Sequence, residues 1–191
     1  TGSPYIVTNN LIIQPADTLV IDPGVNVLFA GEYRMDVFGL LKANGSNDNH
    51  ITFASTDAGS FRWHSLNFSD ESNDSSSLNY CSFQNGSESG YEPYYGMINC
   101  NNSSPTISNS TFNDHNKRGI NLKNSNSLIS GNFFRNNFSS GTSQSRIYIE
   151  DGSPKIINNN FVGTDSSDYS QINDLYMINV SSSSDIEIAN N

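Results

Sequence analysis

The sequence predicts an all-β protein, a right-handed parallel β-helix in which one chain winds through three short strands per coil. Three observations predict it: a recurring spacing from an aliphatic residue to Phe, odd separations between apolar residues of one core, and insertions confined to one place. No segment shows a sustained helical period. We expect one domain over 1–191, with residues 1–53 as wide opening coils and residues 63–191 as regular coils.

An aliphatic residue followed five positions later by Phe defines the repeat. The pairs are Leu78/Phe83, Ile107/Phe112, Ile129/Phe134 and Ile156/Phe161. Another apolar residue stands seven positions before three of these aliphatic residues, namely Cys100, Leu122 and Ile149. Nearly all variation in repeat length falls between a Phe and the next strand. Such constant blocks are typical of stacked coils, which must match where they pair and can differ where they face water.

The odd separations of seven and five each require a bend, because residues on one face of a strand are an even number apart. Suitable bend formers are present: Ser104-Pro105, Ser127 and Ser153-Pro154 in the first gap, and Asn109, Gly131 and Asn158 in the second. Three strands per coil follow. Stacking about 4.8 Å apart then predicts one aliphatic column and one Phe column.

Two rows of polar residues also recur at fixed places. They are Asn102, Asn124 and Asp151 in one row, and Asn109, Asn158 and Asn190 in the other. Such a row is either a set of inward amides that bond between coils or a set of turn formers on the surface. Under both interpretations the rows belong to the architecture.

The opening residues carry a related pattern, in which Val25, Val27 and Phe29 alternate. At the other end Ile188 opens a further copy whose Phe would fall beyond Asn191, and its upstream partner Val180 stands eight residues away instead of seven. We therefore expect this sequence to be part of a longer chain or to assemble end to end.

The net charge of −10 repels phosphate backbones, so nucleic acid is not expected as a partner. No run approaches 18 apolar residues, and membrane insertion is not expected either. An acidic exterior rich in Ser and Asn suits a secreted or cell-surface protein. Cys81 and Cys100 fall at different places in the coil, Cys100 inward and Cys81 at a turn, which argues against a disulfide.

Over essentially its whole length, the chain resembles secreted bacterial β-helix proteins of the pectin-lyase-like superfamily. In the opening part the resemblance lies in Pro4-Tyr5-Ile6-Val7, Leu11-Ile12-Ile13, Asp17-Thr18-Leu19-Val20-Ile21, Pro23-Gly24-Val25, Val27, Val37-Phe38-Gly39-Leu40-Leu41-Lys42-Ala43, Ile51-Thr52-Phe53-Ala54-Ser55 and Trp63. The later Ile-x-Asn-x-x-Phe copies resemble the superfamily's repeat. The resemblance implies the fold, whereas the function stays open, since the superfamily includes lyases, hydrolases, epimerases and modules with no activity. No motif of one catalytic family is found.

A binding site is predicted where the insertions differ in length. Residues 84–96, 135–146 and 162–174 are long and 113–118 is short, so the short connection should lie in a notch about 10 Å wide. The predicted ligand-binding residues are Tyr91, Tyr94, Tyr95, His115, Arg118, Arg135 and Arg146. Tyr offers flat apolar area, and the cations suit the carboxylates of a uronate chain. The alternative is a solvated face with tyrosines that pack their own loop.

Catalysis is the less favoured interpretation of the same residues. A polysaccharide lyase must neutralise a carboxylate and remove the adjacent proton, and His115, Lys117 and Arg118 have suitable side chains. No cofactor and no metal are expected. Asp70-Glu71-Ser72-Asn73-Asp74 could offer oxygens to calcium, but it lacks the Gly and the closing Glu of an EF-hand loop and is interpreted as a hydrated turn.

Three functions remain open on this basis. The favoured one is a structural or adhesive module that binds polysaccharide without cleaving it. The second is a polysaccharide lyase, or another enzyme that degrades an acidic glycan. The third is a structural spacer or assembly unit with no ligand.

Overall fold

The computed structural model describes residues 2–86, 95–135, 144–162, 175–182 and 185–191. In this part of the chain the regular secondary structure is strand, and no helix has the length and apolar character needed to cross a membrane. Of the predicted site residues, Tyr91 and Tyr94 lie outside the described residues.

The described strands follow one another in groups of three, and each group is one coil. In chain order they are β1 (Tyr5–Val7), β2 (Leu11–Ile13), β3 (Thr18–Ile21); β4 (Asn26–Phe29), β5 (Met35–Val37), β6 (Leu40–Asn44); β7 (Ile51–Ser55), β8 (Leu66–Phe68), β9 (Ser77–Asn79); β10 (Cys81–Gln84), β11 (Gly96–Asn101), β12 (Thr106–Ser108); β13 (Thr111–Asn113), β14 (Arg118–Lys123), β15 (Leu128–Ser130); β16 (Phe133–Arg135), β17 (Gln144–Glu150), β18 (Lys155–Ile157); and β19 (Asn160–Phe161), β20 (Leu175–Ser182), β21 (Glu187–Ala189).

Three parallel sheets of seven strands each result from this winding. Sheet A has the order β1-β4-β7-β10-β13-β16-β19, sheet B the order β2-β5-β8-β11-β14-β17-β20, and sheet C the order β3-β6-β9-β12-β15-β18-β21. Every strand therefore pairs with the strand three places later in the chain. The molecule is a parallel β-helix with three strands per coil, as the repeat predicted, and the strands of residues 1–53 belong to the same three sheets.

The two predicted core columns are present in register. In sheet C, Leu78, Ile107, Ile129, Ile156 and Ile188 follow one another through adjacent strands. In sheet A the rings of Phe53, Phe83, Phe112, Phe134 and Phe161 stack with centroids 4.6 to 5.1 Å apart. Such spacing permits offset stacking, which stabilises the column beyond the burial of each ring. The core is thus a continuous apolar column along the axis of the solenoid.

The irregular spacing at Val180 has a structural counterpart. Ile149 pairs with Val180, but the next residue, Glu150, pairs with Ser182, so Ser181 is an extra residue in β20. A β-bulge accommodates one additional residue without shifting the inward column. This bulge is therefore the cause of the eight-residue spacing between Val180 and Ile188.

Both predicted polar rows are turn formers at the surface. Asn102, Asn109, Asn124 and Asn158 have φ between 48° and 56°, the left-handed region that Asn tolerates better than most residues. The hydrogen bonds that inward amides make between coils come instead from the residue directly after each left-handed residue, in the turn from sheet C to sheet A. The buried Asn132 accepts the Ser110 N–H at 3.0 Å, and the buried Asn159 accepts the Asn132 N–H at 3.0 Å.

The expectation that Cys81 lies at a turn is wrong. The left-handed residue Tyr80 completes the bend by itself, so Cys81 is already the first residue of β10 and points into the core. Cys100 is buried as well, and both thiols are free. Burial raises the pKa of each thiol to about 12, so neither is a reactive thiolate near neutral pH.

Candidate functional site

The three longest connections between strands, 56–65, 85–95 and 162–174, each lead from a strand of sheet A to the next strand of sheet B. Five of the nine Lys and Arg residues stand in or directly beside a connection from sheet A to sheet B, and a sixth, Arg146, is the third residue of β17. The five are Arg34, Arg62, Lys117, Arg118 and Arg135. In a chain with a net charge of −10, the corner between sheets A and B concentrates the cations, as the sequence predicted for part of it.

Arg118 lies between two tyrosines at the start of β14. Its guanidinium carbon is 3.5 Å from the ring centroid of Tyr148 and 4.9 Å from that of Tyr95. Its Nη1 donates to Oδ1 of Asn121 at 2.7 Å. With only 8% of its surface exposed, Arg118 offers little of its charge to a ligand. Its contacts instead hold the two rings in place, because cation–π attraction strengthens as the cation loses water.

His115 is buried in the short connection between β13 and β14. Burial, together with the neighbouring charges of Arg146 and Arg62, lowers its pKa to about 3. The imidazole is therefore neutral near pH 7, and only 1% of the residue is exposed. The packing around it is tight, because a Cβ on Gly119 would lie 3.2 Å from His115 Nε2 and 2.7 Å from the Arg146 carbonyl oxygen.

The other predicted cations divide between the interior and the surface. Arg146 is fully buried and joins coils, since its Nη2 donates to the Val162 carbonyl at 2.6 Å and its Nη1 contacts Met177 Sδ at 2.7 Å. Arg135 is exposed and Lys117 half-buried. The structure brings Tyr95 and Arg118 together, whereas Arg146 and His115 lie beneath the surface. Their predicted roles in binding or catalysis stay predictions.

Asp114 and Arg62 form a second contact at this corner. Arg62 Nη1 donates to the carbonyl oxygen of Asp114. Burial raises the pKa of the Asp114 carboxyl, while the nearby charges of Arg62 and Arg135 act in the opposite direction. Arg62 was not among the predicted residues, because it stands 52 positions before Asp114 in the chain and no local pattern connects the two.

A polar row on the outer face of sheet B was also missed. Asp36, Asn67, Asn99 and Asn121 occupy one register position on four adjacent strands. Asn67 Nδ2 donates to Asp36 Oδ1 at 2.8 Å, and Asn99 Nδ2 donates to Asn67 Oδ1 at 2.9 Å. All four are buried. The sequence contains a signal for this row, because each of its four residues stands directly before an inward residue of sheet B. Tyr148 occupies the same register position on β17.

This row is the floor of a groove of about 160 Å³. Arg34 stands at one end, where its Nε donates to Asp36 Oδ2 at 2.8 Å. The half-buried side chains of Phe38, Ser69, Asn101 and Lys123 line one side. The groove crosses four coils, which corresponds to about 14 Å along the axis. Because the floor amides bond to one another, its shape is fixed before any ligand arrives.

In the described parts of the chain, no three His, Cys, Asp or Glu side chains converge to form a set of metal ligands. The segment Asp70-Glu71-Ser72-Asn73-Asp74, which could offer oxygens to calcium, lies in the turn from β8 to β9. There Asp74 Oδ1 accepts the Ser104 N–H at 2.6 Å, and Ser72 Oγ lies 2.5 Å from Ser103 Oγ. These contacts join neighbouring coils.

Comparison with known proteins gives no relative, since no family model, no curated protein and no solved structure matches this chain.

Proposed function

We propose that this chain is a module of a secreted or cell-surface protein that holds an extended polysaccharide on the outer face of sheet B without cleaving it. The single observation that carries the proposal is the ordered polar groove from Arg34 to Asn121, continued at the same face by the Tyr95–Arg118–Tyr148 stack.

The groove offers the two kinds of contact that a sugar chain needs. Half-buried Asn101 and Ser69 can exchange hydrogen bonds with hydroxyl groups, and Phe38 and Tyr148 present ring surface to the apolar face of a sugar. Lys123 and Arg34 also line the groove, and each is paired with a carboxylate of the protein, Lys123 with Glu150 at 3.0 Å and Arg34 with Asp36 at 2.8 Å. Because these pairs balance the charge, the groove favours neither an acidic nor a neutral glycan by charge alone.

Rigidity supports binding at this face. The floor amides are hydrogen-bonded within the protein, and Arg118 fixes Tyr148 by its contact at 3.5 Å. A ligand would therefore meet side chains whose ordering entropy has already been lost on folding.

The test is a glycan array that spans neutral and uronate polysaccharides, followed by calorimetry on any hit. Tyr148→Ala and Asn101→Ala should each weaken binding, Tyr148→Ala by about five- to tenfold through loss of one aromatic contact. Lys155→Ala on sheet C is the matched control, because its side chain is 62% exposed, pairs with Glu187 and lies on another face. An empty array would favour the spacer, whereas equal affinity in all variants would show that the glycan binds at another surface.

The same polysaccharides serve to test the lyase alternative, by the absorbance of an unsaturated product. Product formation by the parent chain would replace the non-catalytic proposal. In that case His115→Ala and Arg118→Ala would show whether the short connection carries the reaction, since unchanged activity in both would remove it as the catalytic site.

A further inference from the structure

The groove on the outer face of sheet B is periodic along the axis of the solenoid. Its floor row continues through five adjacent strands, with one residue on each: Asp36, Asn67, Asn99, Asn121 and Tyr148. Neighbouring strands of a sheet lie about 4.8 Å apart, so equivalent side chains recur at that interval. A polymer with a similar repeat would meet the same surroundings at each unit, whereas a polymer with a different repeat would lose register within a few units.

A second row of side chains, the rim row, runs beside the floor at the same interval. Its members directly follow the second inward residue of each strand and are Phe38, Ser69, Asn101, Lys123 and Glu150. All five are half-buried, whereas the floor residues before Tyr148 are at most 9% exposed. A ligand would therefore rest on the floor and make most of its contacts with the rim row and with Tyr148.

The floor itself is level. Asn99 Nδ2 donates to Asn67 Oδ1 and to the Gly96 carbonyl, each at 2.9 Å, and Asn99 Oδ1 accepts the Gly96 N–H at 2.8 Å. Asn67 Nδ2 in turn donates to Asp36 Oδ1 at 2.8 Å. These bonds run along the axis or within one strand, so they hold the amides against the sheet. A flat ligand fits such a bed better than a coiled one.

Two aromatic rings mark the ends of this bed. Phe38 directly follows β5 and Tyr148 lies on β17, four strand spacings away, which corresponds to about 19 Å. Aromatic rings pack against the apolar face of a sugar, and the rim between them offers the hydroxyl of Ser69 and the amide of Asn101. An extended chain with one sugar per coil would reach from one ring to the other with five sugars.

Charge distinguishes acidic from neutral ligands at this face. Both cations of the groove are paired with carboxylates, Lys123 with Glu150 and Arg34 with Asp36, so the groove contributes little net charge of its own. The chain as a whole carries a net charge of −10, which repels a polyanion. The electrostatics of the whole molecule therefore favours an uncharged ligand.

The shape of a sugar chain depends on its linkages. Pyranose rings joined through equatorial bonds on opposite sides of the ring, as in β-1,4-linked glucans and mannans, form a flat ribbon whose repeat is only slightly longer than the coil spacing. Axial bonds and 1,3 linkages bend the chain into a helix. Of these shapes, the ribbon is the one that matches a straight and level bed with one contact per coil.

We propose that the groove binds a neutral β-1,4-linked glycan ribbon, which lies along the solenoid axis with one sugar on each coil from Phe38 to Tyr148. This inference rests on the proposed function and narrows its ligand to one linkage and one charge class. It also gives the site a definite length of five sugars.

Calorimetry with five hexasaccharides tests the linkage. Cellohexaose and mannohexaose have the ribbon linkage, maltohexaose and laminarihexaose are neutral chains with other linkages, and hexagalacturonate is acidic. We expect cellohexaose or mannohexaose to bind at least about tenfold more tightly than each of the other three, because the ribbon keeps all its sugars in register. Since this ligand is neutral, its Kd should change by less than about twofold between low and physiological salt.

A length series tests the register. With cello- or manno-oligosaccharides, affinity should rise about two- to tenfold per added sugar up to five sugars and then level off. Tyr148→Ala and Phe38→Ala each remove one end of the bed, so in each variant the rise should stop at four sugars. Phe133→Ala is the matched control, because Phe133 is a half-buried ring on the outer face of sheet A, and it should leave the limit at five. Circular dichroism checks the fold of each variant, and the hexasaccharides need no variant at all.

The outcomes separate this inference from the function on which it rests. Tightest binding of maltohexaose, laminarihexaose or hexagalacturonate would overturn the ribbon and leave carbohydrate binding in place. A limit that stays at five sugars in both Tyr148→Ala and Phe38→Ala would do the same. Failure of all five hexasaccharides to bind would also overturn the inference, and an empty glycan array in addition would remove the proposed function.

Discussion

Two corners of the same coil follow opposite rules. Between sheets C and A, the last four crossings leave only one or two residues outside the strands, as at Tyr80 or at Asn109 and Ser110. Between sheets A and B, the corresponding connections run from four residues, 114–117, to thirteen, 162–174. The same chain thus keeps one corner constant and lets the other vary.

The difference lies in what each corner buries. In the later coils the C–A turn places an inward polar side chain, Ser110, Asn132, Asn159 or Asn191, and each accepts a backbone N–H from the coil before it. At the A–B corner the described buried polar groups include side chains of other kinds, such as His115, Arg118 and Arg146, whose positions depend on neighbouring coils. A rigid corner and a variable one allow a solenoid to carry a site without losing its register.

Removing one amide of the constant corner should have the largest effect. Asn132 accepts the Ser110 N–H and donates to the Ile107 carbonyl and to Asn159 Oδ1, each at 3.0 Å. Asn132→Ala leaves buried partners unsatisfied and should reduce the free energy of unfolding by about 3 kcal/mol. For a chain of this size the melting temperature would fall by about 6–12 °C.

The matched variant in the variable corner is Asn116→Ala. Asn116 is half-buried in the short A–B connection, and its loss should change stability by no more than about 0.5 kcal/mol. Thermal unfolding followed by circular dichroism compares the two. Equal destabilisation by both variants would show that the corners do not differ in the way we infer.

The variable corner should instead be recognisable by its response to pH. The folded chain holds the pKa of His115 near 3, below the ordinary value of 6.5, so the unfolded chain binds a proton between these values and the folded chain does not. Stability is therefore retained above about pH 6.5 and lost as the pH falls. Between pH 7 and pH 5 the loss from this group should be about 2 kcal/mol.

Urea unfolding at each pH, in the parent chain and in His115→Gln, isolates this contribution. Asp114 and the half-buried His64, whose pKa is also lowered by burial, titrate in both chains and cancel in the difference. The His115→Gln chain should lose about 2 kcal/mol less over the interval. Parallel curves for the two chains would show that His115 is accessible to protons in the folded state.

Periodicity predicts the constant parts of this fold and fails at its variable corner. The columns through Ile107 and Phe112 follow from spacing alone, because coils that pair must agree residue by residue. Spacing does not predict the burial of His115 and Arg146, because the residues that bury them belong to coils distant in sequence. A cluster of adjacent basic residues was interpreted as one exposed surface, whereas the fold divides it between interior and exterior.

The groove was missed for a different reason. Asn67, Asn99 and Asn121 form a row immediately before inward residues, and the spacing of the inward residues says nothing about the side chains at that position. Alternation makes that position the outer face of the same strand. Outward rows in a solenoid are therefore readable from sequence once the inward register is known.

The smallest expected effect tests the turn conformation of the constant corner without touching its amide row. Gly131 has φ of +66° at the place where Asn109 and Asn158 have φ of 48° and 56°. Gly131→Val should lower the free energy of unfolding by about 1–2 kcal/mol, because a branched residue is strained in the left-handed region. Gly131→Asn should cost less, since Asn tolerates that region and the exposed Asn109 side chain, 2.8 Å from the new Cβ, can move aside. Equal losses in the two variants would mean that crowding against Asn109, and not the backbone conformation, selects Gly at this turn.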